Sequence, residues 1–131
     1  MSRTIPDLEG VEHGFVDVDG LRMHVAYAGE PGAEPVVLLH GWPQHWFAWR
    51  KLIPRLAEDY RVIAPDLRGF GWTDAPKSSY LKASLARDVV GLLDALDLKR
   101  VRMAGHDWGG FVGFLVCVGA PERVSHYAAA G

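Results

Sequence analysis

The chain has 131 residues, the size of one domain, and is 49% hydrophobic and 23% charged, an ordinary globular balance. Its net charge of −2 gives no basic surface and argues against a nucleic-acid partner. A single cysteine, Cys117, excludes an intrachain disulfide; it lies in an apolar run, reads as a packing residue and suits a reducing compartment.

The first residues contain no apolar h-region, and the longest apolar stretch, 111–120, is too short to span a bilayer. A cytoplasmic protein without membrane contact is therefore expected. Residues 12–18 and 21–28 read as two strands joined at Asp19-Gly20, a hairpin signal because both central residues of that turn need positive φ. Residues 29–34 form a turn-rich loop, and 35–39 is a continuous apolar run suited to a strand covered on both faces. Apolar residues at helical spacing (Trp46, Trp49, Leu52, Ile53, Leu56) predict a helix over 46–58, with Pro54 shortening or kinking it. A strand at 61–64, a long Gly/Pro/Asp-rich loop over 65–79 and a helix over 81–96 follow. The remainder reads as a strand at 101–104, a helix over 108–120 and a final strand at 124–130.

This order, a hairpin and then alternating strands and helices, implies an α/β fold with a parallel sheet and right-handed crossovers. Ligands in such sheets bind at the carboxyl ends of the strands, where the loops 40–45, 65–79 and 105–109 converge.

Residues 105–110 read Gly-His-Asp-Trp-Gly-Gly, directly after the strand at 101–104. This is the frame Gly-x-nucleophile-x-Gly of a nucleophile elbow, with Asp107 in the central place. Gly105, Gly109 and Gly110 relieve crowding at such a turn, and the helix behind it points free amides at Asp107. Asp107 as a plain helix N-cap would need neither flanking glycines nor a preceding buried strand. A carboxylate suits displacement at a saturated carbon, and the resulting ester must then be hydrolysed. The second motif, His40-Gly41-Trp42-Pro43, follows the third strand. Elbow enzymes build an oxyanion hole from the amide after the nucleophile and one in this loop, here Trp108 and Trp42. A cis Trp42–Pro43 bond would aim the second amide. His40 and His106 read as structural groups that bind loop backbone rather than as bases. Asp66 and Arg68 read as scaffold that pairs or ties down the long loop. His13, His24 and His126 have no motif around them.

Taken together, His40–His45, Asp66–Gly71 and Gly105–Gly110 resemble the α/β-hydrolase superfamily. Within it they look like the epoxide hydrolase and haloalkane dehalogenase branch, whose nucleophile is aspartate. The His-Gly-aromatic-Pro form favours epoxide hydrolase. The resemblance implies that residues 1–131 form the N-terminal part of an α/β-hydrolase core domain, with the hairpin at 12–28 and βα units over 35–131. It implies that Asp107 opens an epoxide to a hydroxyalkyl ester, that a histidine oriented by an acid activates water to release a diol, and that no metal or organic cofactor takes part. The substrate implied is a small apolar epoxide, or a halide if the dehalogenase alternative holds.

In the family the cap domain, the acid and the catalytic histidine follow the strand at 124–130, so the expectation is a chain truncated before them and inactive in multiple turnover alone. The family's C-terminal helix, which shares a sheet face with the 46–58 helix, is expected to be missing as well. An apolar face and a bare edge strand are then expected to be covered by a second copy or by a complementary C-terminal chain. A non-catalytic, self-associating half-fold is the alternative from a different class.

Overall fold

The computed structural model describes residues 4–131. A hairpin of β1 (Val11–Val18) and β2 (Leu21–Ala28) turns at Asp19 and Gly20, which have φ of 50° and 87°, the two positive values that the Asp-Gly pair foretells. Next come β3 (Glu34–Leu39), a 3₁₀ turn (Trp46–Trp49), the single helical turn α1 (Ile53–Leu56) and β4 (Tyr60–Pro65). The chain continues through α2 (Lys82–Ala95), β5 (Val101–His106), α3 (Trp108–Gly119), a short 3₁₀ turn (Pro121–Arg123) and β6 (Val124–Ala130).

The strands form one sheet in the order β1-β2-β4-β3-β5-β6. The hairpin joins it antiparallel through β2 and β4, and β4, β3, β5 and β6 run parallel. From β3 the chain moves to one side, towards β4; from β5 it moves to the other, towards β6. The gap between the carboxyl ends of β3 and β5 is thus the point where the winding reverses, the crevice in which such sheets hold ligands.

Alternate side chains of each strand go to opposite faces. On one face Met23, Val25, Val37, Leu39, Ile63, Val101 and Met103 pack under α2 and α3, meeting Leu85, Val89, Leu92, Leu93, Val112 and Val116. Cys117 packs against this cluster half-buried, its thiol pushed up by burial. On the other face Ala26, Val36, Leu38, Val62 and Ala64 meet Trp46 and Ile53.

The helix expected over 46–58 is not continuous. Pro54 sits in the first turn of α1, where its missing N–H is tolerated, and it blocks the ladder to the preceding turn. Upstream, the Trp46 N–H is taken by the Asp66 carboxylate at 2.8 Å, and the His45 ring accepts from the Phe47 N–H. Two separate turns therefore cover the second face less fully than one helix would. A groove of about 280 Å³ remains there, lined by Val36, Leu38, Leu52, Leu56, Ala104 and His126.

Candidate active site

β5 enters the site through Gly105 and His106, and α3 leaves it at Trp108, so Asp107 occupies the turn between a parallel strand and a helix. Its backbone has φ 56° and ψ −118°, a conformation that a side chain with a Cβ rarely adopts. Holding it costs on the order of 1–3 kcal/mol, which the surrounding structure must supply. The Asp107 N–H donates to the Ala130 carbonyl at 3.0 Å, and the Phe111 N–H donates to the Asp107 carbonyl at 3.2 Å. Close approach explains two of the three glycines: a Cβ at Gly109 would overlap the carbonyl oxygens of Leu39 and His40, and one at Gly105 would overlap the Gly109 carbonyl, whereas one at Gly110 would meet only ordinary contacts, 3.5 Å and beyond.

The exposed Asp107 carboxylate is not free. Its Oδ2 accepts the Trp42 N–H at 3.0 Å, and the Trp108 N–H also faces the carboxylate and favours its charged form. The Trp42 bond holds the carboxyl below the ordinary aspartate range; the Trp108 amide adds to this, slight burial opposes it, and the charges of His106 and Lys82 contribute less. The two amides singled out in the sequence therefore converge on one carboxylate. The Trp42–Pro43 peptide bond is cis, as the motif leads one to expect. Gly41 is required by proximity: a Cβ there would meet Asp107 Cβ at 2.7 Å and His106 Nδ1 at 3.0 Å.

The other motif residues frame this turn. His40 is buried; its Nδ1 donates to the Gly41 carbonyl at 2.9 Å, and its Nε2 accepts the Leu67 N–H at 2.9 Å. It ties the loop after β3 to the loop after β4, and burial keeps it neutral by lowering its pKa. His106 is half-buried and borders a small cleft with Gln44, Ala48 and Trp49. The Gly110 carbonyl accepts from the Tyr127 hydroxyl, which anchors α3 to β6. Trp42 and Trp108 stack with centroids 6.1 Å apart, and Phe70 meets Trp108 edge-on at 5.9 Å, so the carboxylate is bordered by an aromatic wall.

Asp66 and Arg68 do not pair with each other. Arg68 forms a two-pronged ion pair with Asp88 of α2, at 2.9 and 2.8 Å. Asp66, fully buried, accepts from His24 Nδ1 at 2.8 Å, the Trp46 N–H at 2.8 Å and the Trp72 N–H at 2.9 Å. His24 in turn meets His13 at 3.0 Å. This buried His13–His24–Asp66 chain carries no local sequence signal, since its members are 11 and 42 residues apart. A histidine at an inward-facing strand position beside an acidic residue at a strand's carboxyl end is the one hint the sequence contains.

Comparison with known proteins agrees with this architecture. A family model described as the alpha/beta hydrolase fold matches residues 34–131. The chain is 45% identical over 120 residues to Epoxide hydrolase 2 of Siraitia grosvenorii, covering 89% of this chain and 37% of that protein. It is 47% identical over 104 residues to the Soluble epoxide hydrolase of Corynebacterium sp. (strain C12), covering 79% of this chain and 36% of that protein. Among solved structures, the epoxide hydrolase VrEH1 from Vigna radiata superposes with a TM-score of 0.89 at 43% identity, over 94% of this chain and 40% of that one. The chain thus spans between a third and two fifths of the length of these relatives. It belongs to the α/β-hydrolase family, and the relatives named here, to which it is similar, are epoxide hydrolases. No helix among the described residues is long and apolar enough to cross a membrane.

Proposed function

We propose that this chain carries the nucleophile and the oxyanion hole of an epoxide hydrolase. The observation that carries the reading is the Asp107 carboxylate at a positive-φ strand-to-helix turn, gripped by the Trp42 and Trp108 amides. With Oδ2 engaged, Oδ1 is the oxygen available for attack. It forms a bond to a ring carbon of the epoxide as the carbon–oxygen ring bond breaks; the ring oxygen keeps that electron pair and takes a proton from water. The product is a hydroxyalkyl ester of Asp107. Water then attacks the ester carbonyl, whose oxygen lies in the grip of the two amides; departure of the diol restores the carboxylate, and the proton released neutralises the hydroxide left by the first step. The amides act on the negative charge that develops in this second step. The lowered pKa of Asp107 keeps the nucleophile ionised at neutral pH.

No group among the described residues is assigned to activating water. His40 uses both ring nitrogens to hold loops, and His24 is engaged between His13 and Asp66. On this reading the 131-residue chain by itself forms the ester once and does not turn over. The apolar stripe of Phe111, Phe114 and Val118 on α3, exposed by 51%, 52% and 64%, supports a covering partner, either a second copy or a complementary chain.

Incubation with styrene oxide and, separately, with a chloroalkane tests the reading. The expected result is consumption of one equivalent of epoxide without release of chloride. Chloride release would support the dehalogenase alternative, steady diol release would overturn the single-turnover limit, and consumption of neither would overturn the hydrolase reading in favour of a non-catalytic half-fold.

A further inference from the structure

Lys82 opens α2, 25 residues before Asp107, yet its ammonium sits 3.7 Å from the centroid of the Trp108 indole. The charge is close enough to Asp107 to help depress its pKa. Other basic side chains around the fold have carboxylate partners: Arg68 has Asp88, Arg102 has Glu34 and Arg123 has Asp94. Among the described residues no carboxylate lies within ion-pair distance of Lys82; its ammonium rests on the indole face. A long, flexible ammonium side chain is thus stationed at one end of an aromatic wall of Trp108, Trp42 and Phe70, with Asp107 on the same wall. Trp42 is 57% exposed, so the wall is open to a ligand.

We propose that Lys82 is an anion anchor that makes the Asp107 site selective for epoxides bearing a carboxylate on an apolar body. The inference rests on the reading of Asp107 as the nucleophile. The apolar body lies along the indoles while the carboxylate meets the ammonium. Charge balance favours such a substrate over a neutral one. Before reaction, Lys82 is balanced at a distance by ionised Asp107. Esterification removes that negative charge, and a neutral substrate leaves the ammonium without compensation. A carboxylated substrate supplies the missing charge and keeps the ester in place.

The test compares 4-carboxystyrene oxide with styrene oxide, which share the ring and the epoxide and differ only in the anion. Labelling of Asp107 is followed by mass spectrometry across a concentration series. The carboxylated epoxide is expected to half-saturate labelling at a concentration about tenfold lower, an advantage that shrinks as salt is raised. Lys82→Met is expected to collapse the ratio between the two epoxides to near one, and Lys82→Arg to retain most of it. Equal ratios in the wild type and Lys82→Met would overturn the anchor. Should neither epoxide label Asp107, the nucleophile reading fails on its own, and the anchor is still read with 4-ethylbenzoate, which cannot react. A saturable shift of the Trp108 indole N–H resonance that Lys82→Met abolishes supports it; no saturable shift overturns it.

Discussion

Removing the Asp66 carboxylate should be among the most damaging single changes outside the sheet core. Asp66 is fully buried and accepts three hydrogen bonds, from the His24 ring at 2.8 Å, the Trp46 N–H at 2.8 Å and the Trp72 N–H at 2.9 Å. These join the hairpin, the turn after β3 and the long loop after β4. Asp66→Ala leaves three donors facing a space that water does not readily fill. An unsatisfied buried donor costs about 1–3 kcal/mol, and breaking a buried charged contact costs about 3–5 kcal/mol in total, since such terms do not add in full. Against a total stability of about 5–15 kcal/mol, the loss is roughly a fifth or more. At this chain length that corresponds to a fall in Tm of roughly 10–20 °C. Urea denaturation followed by tryptophan fluorescence gives the free-energy difference. Asp66→Asn keeps the shape and one acceptor, and should fall between the wild type and alanine. A cost below about 1 kcal/mol for Asp66→Ala would refute the claim that this carboxylate ties the three segments together.

Acid should weaken the fold before the carboxylates titrate. Burial lowers the pKa of His40 and His13 below the ordinary imidazole value of about 6.5, so the unfolded chain takes up protons first as pH falls. Stability is then full above about pH 6.5 and declines as pH drops from there towards the folded-state values; urea titrations from pH 7 to 5 should show that slope, and His40→Gln should flatten it. Asp107 acts lower down: its depressed pKa contributes stability that is present above the ordinary aspartate range and is lost as pH falls through the folded value. Gly109→Ala should cost about 3 kcal/mol or prevent folding, because the new methyl overlaps backbone oxygens of Leu39 and His40 that cannot swing away; thermal melting measures it. Replacing Phe111 and Phe114 together by Glu should shift the chain towards monomer in size-exclusion chromatography with light scattering, whereas an unchanged mass would count against the α3 stripe as a covered surface.

Local signals carried much of this fold. The Asp-Gly turn, the apolar strand runs and the helix over α2 each follow from neighbours in sequence, and Leu85, Val89, Leu92 and Leu93 are buried as their spacing implies. The Gly-x-Asp-x-Gly frame is legible because Gly105 answers a steric demand made four residues away, by the Gly109 carbonyl, whereas Gly109 itself clears the Leu39 and His40 carbonyls, which only the sheet brings near. The 46–58 region was not. Its apolar spacing is helical, but the Trp46 N–H is claimed by Asp66, 20 residues away, and Pro54 starts a turn of its own. The same limit hid the His13–His24–Asp66 chain, the Arg68–Asp88 pair and the place of Lys82 over Trp108. Each joins residues that only the sheet order brings together.

The central claim is that Asp107 is the attacking group. Intact-mass measurement of the chain after exposure to styrene oxide, followed by fragmentation of the tryptic peptide 103–123, tests it directly. The account predicts a single adduct carrying the mass of one epoxide, located on Asp107 and absent from Asp107→Asn. An adduct on another residue, or equal labelling of Asp107→Asn, would contradict it.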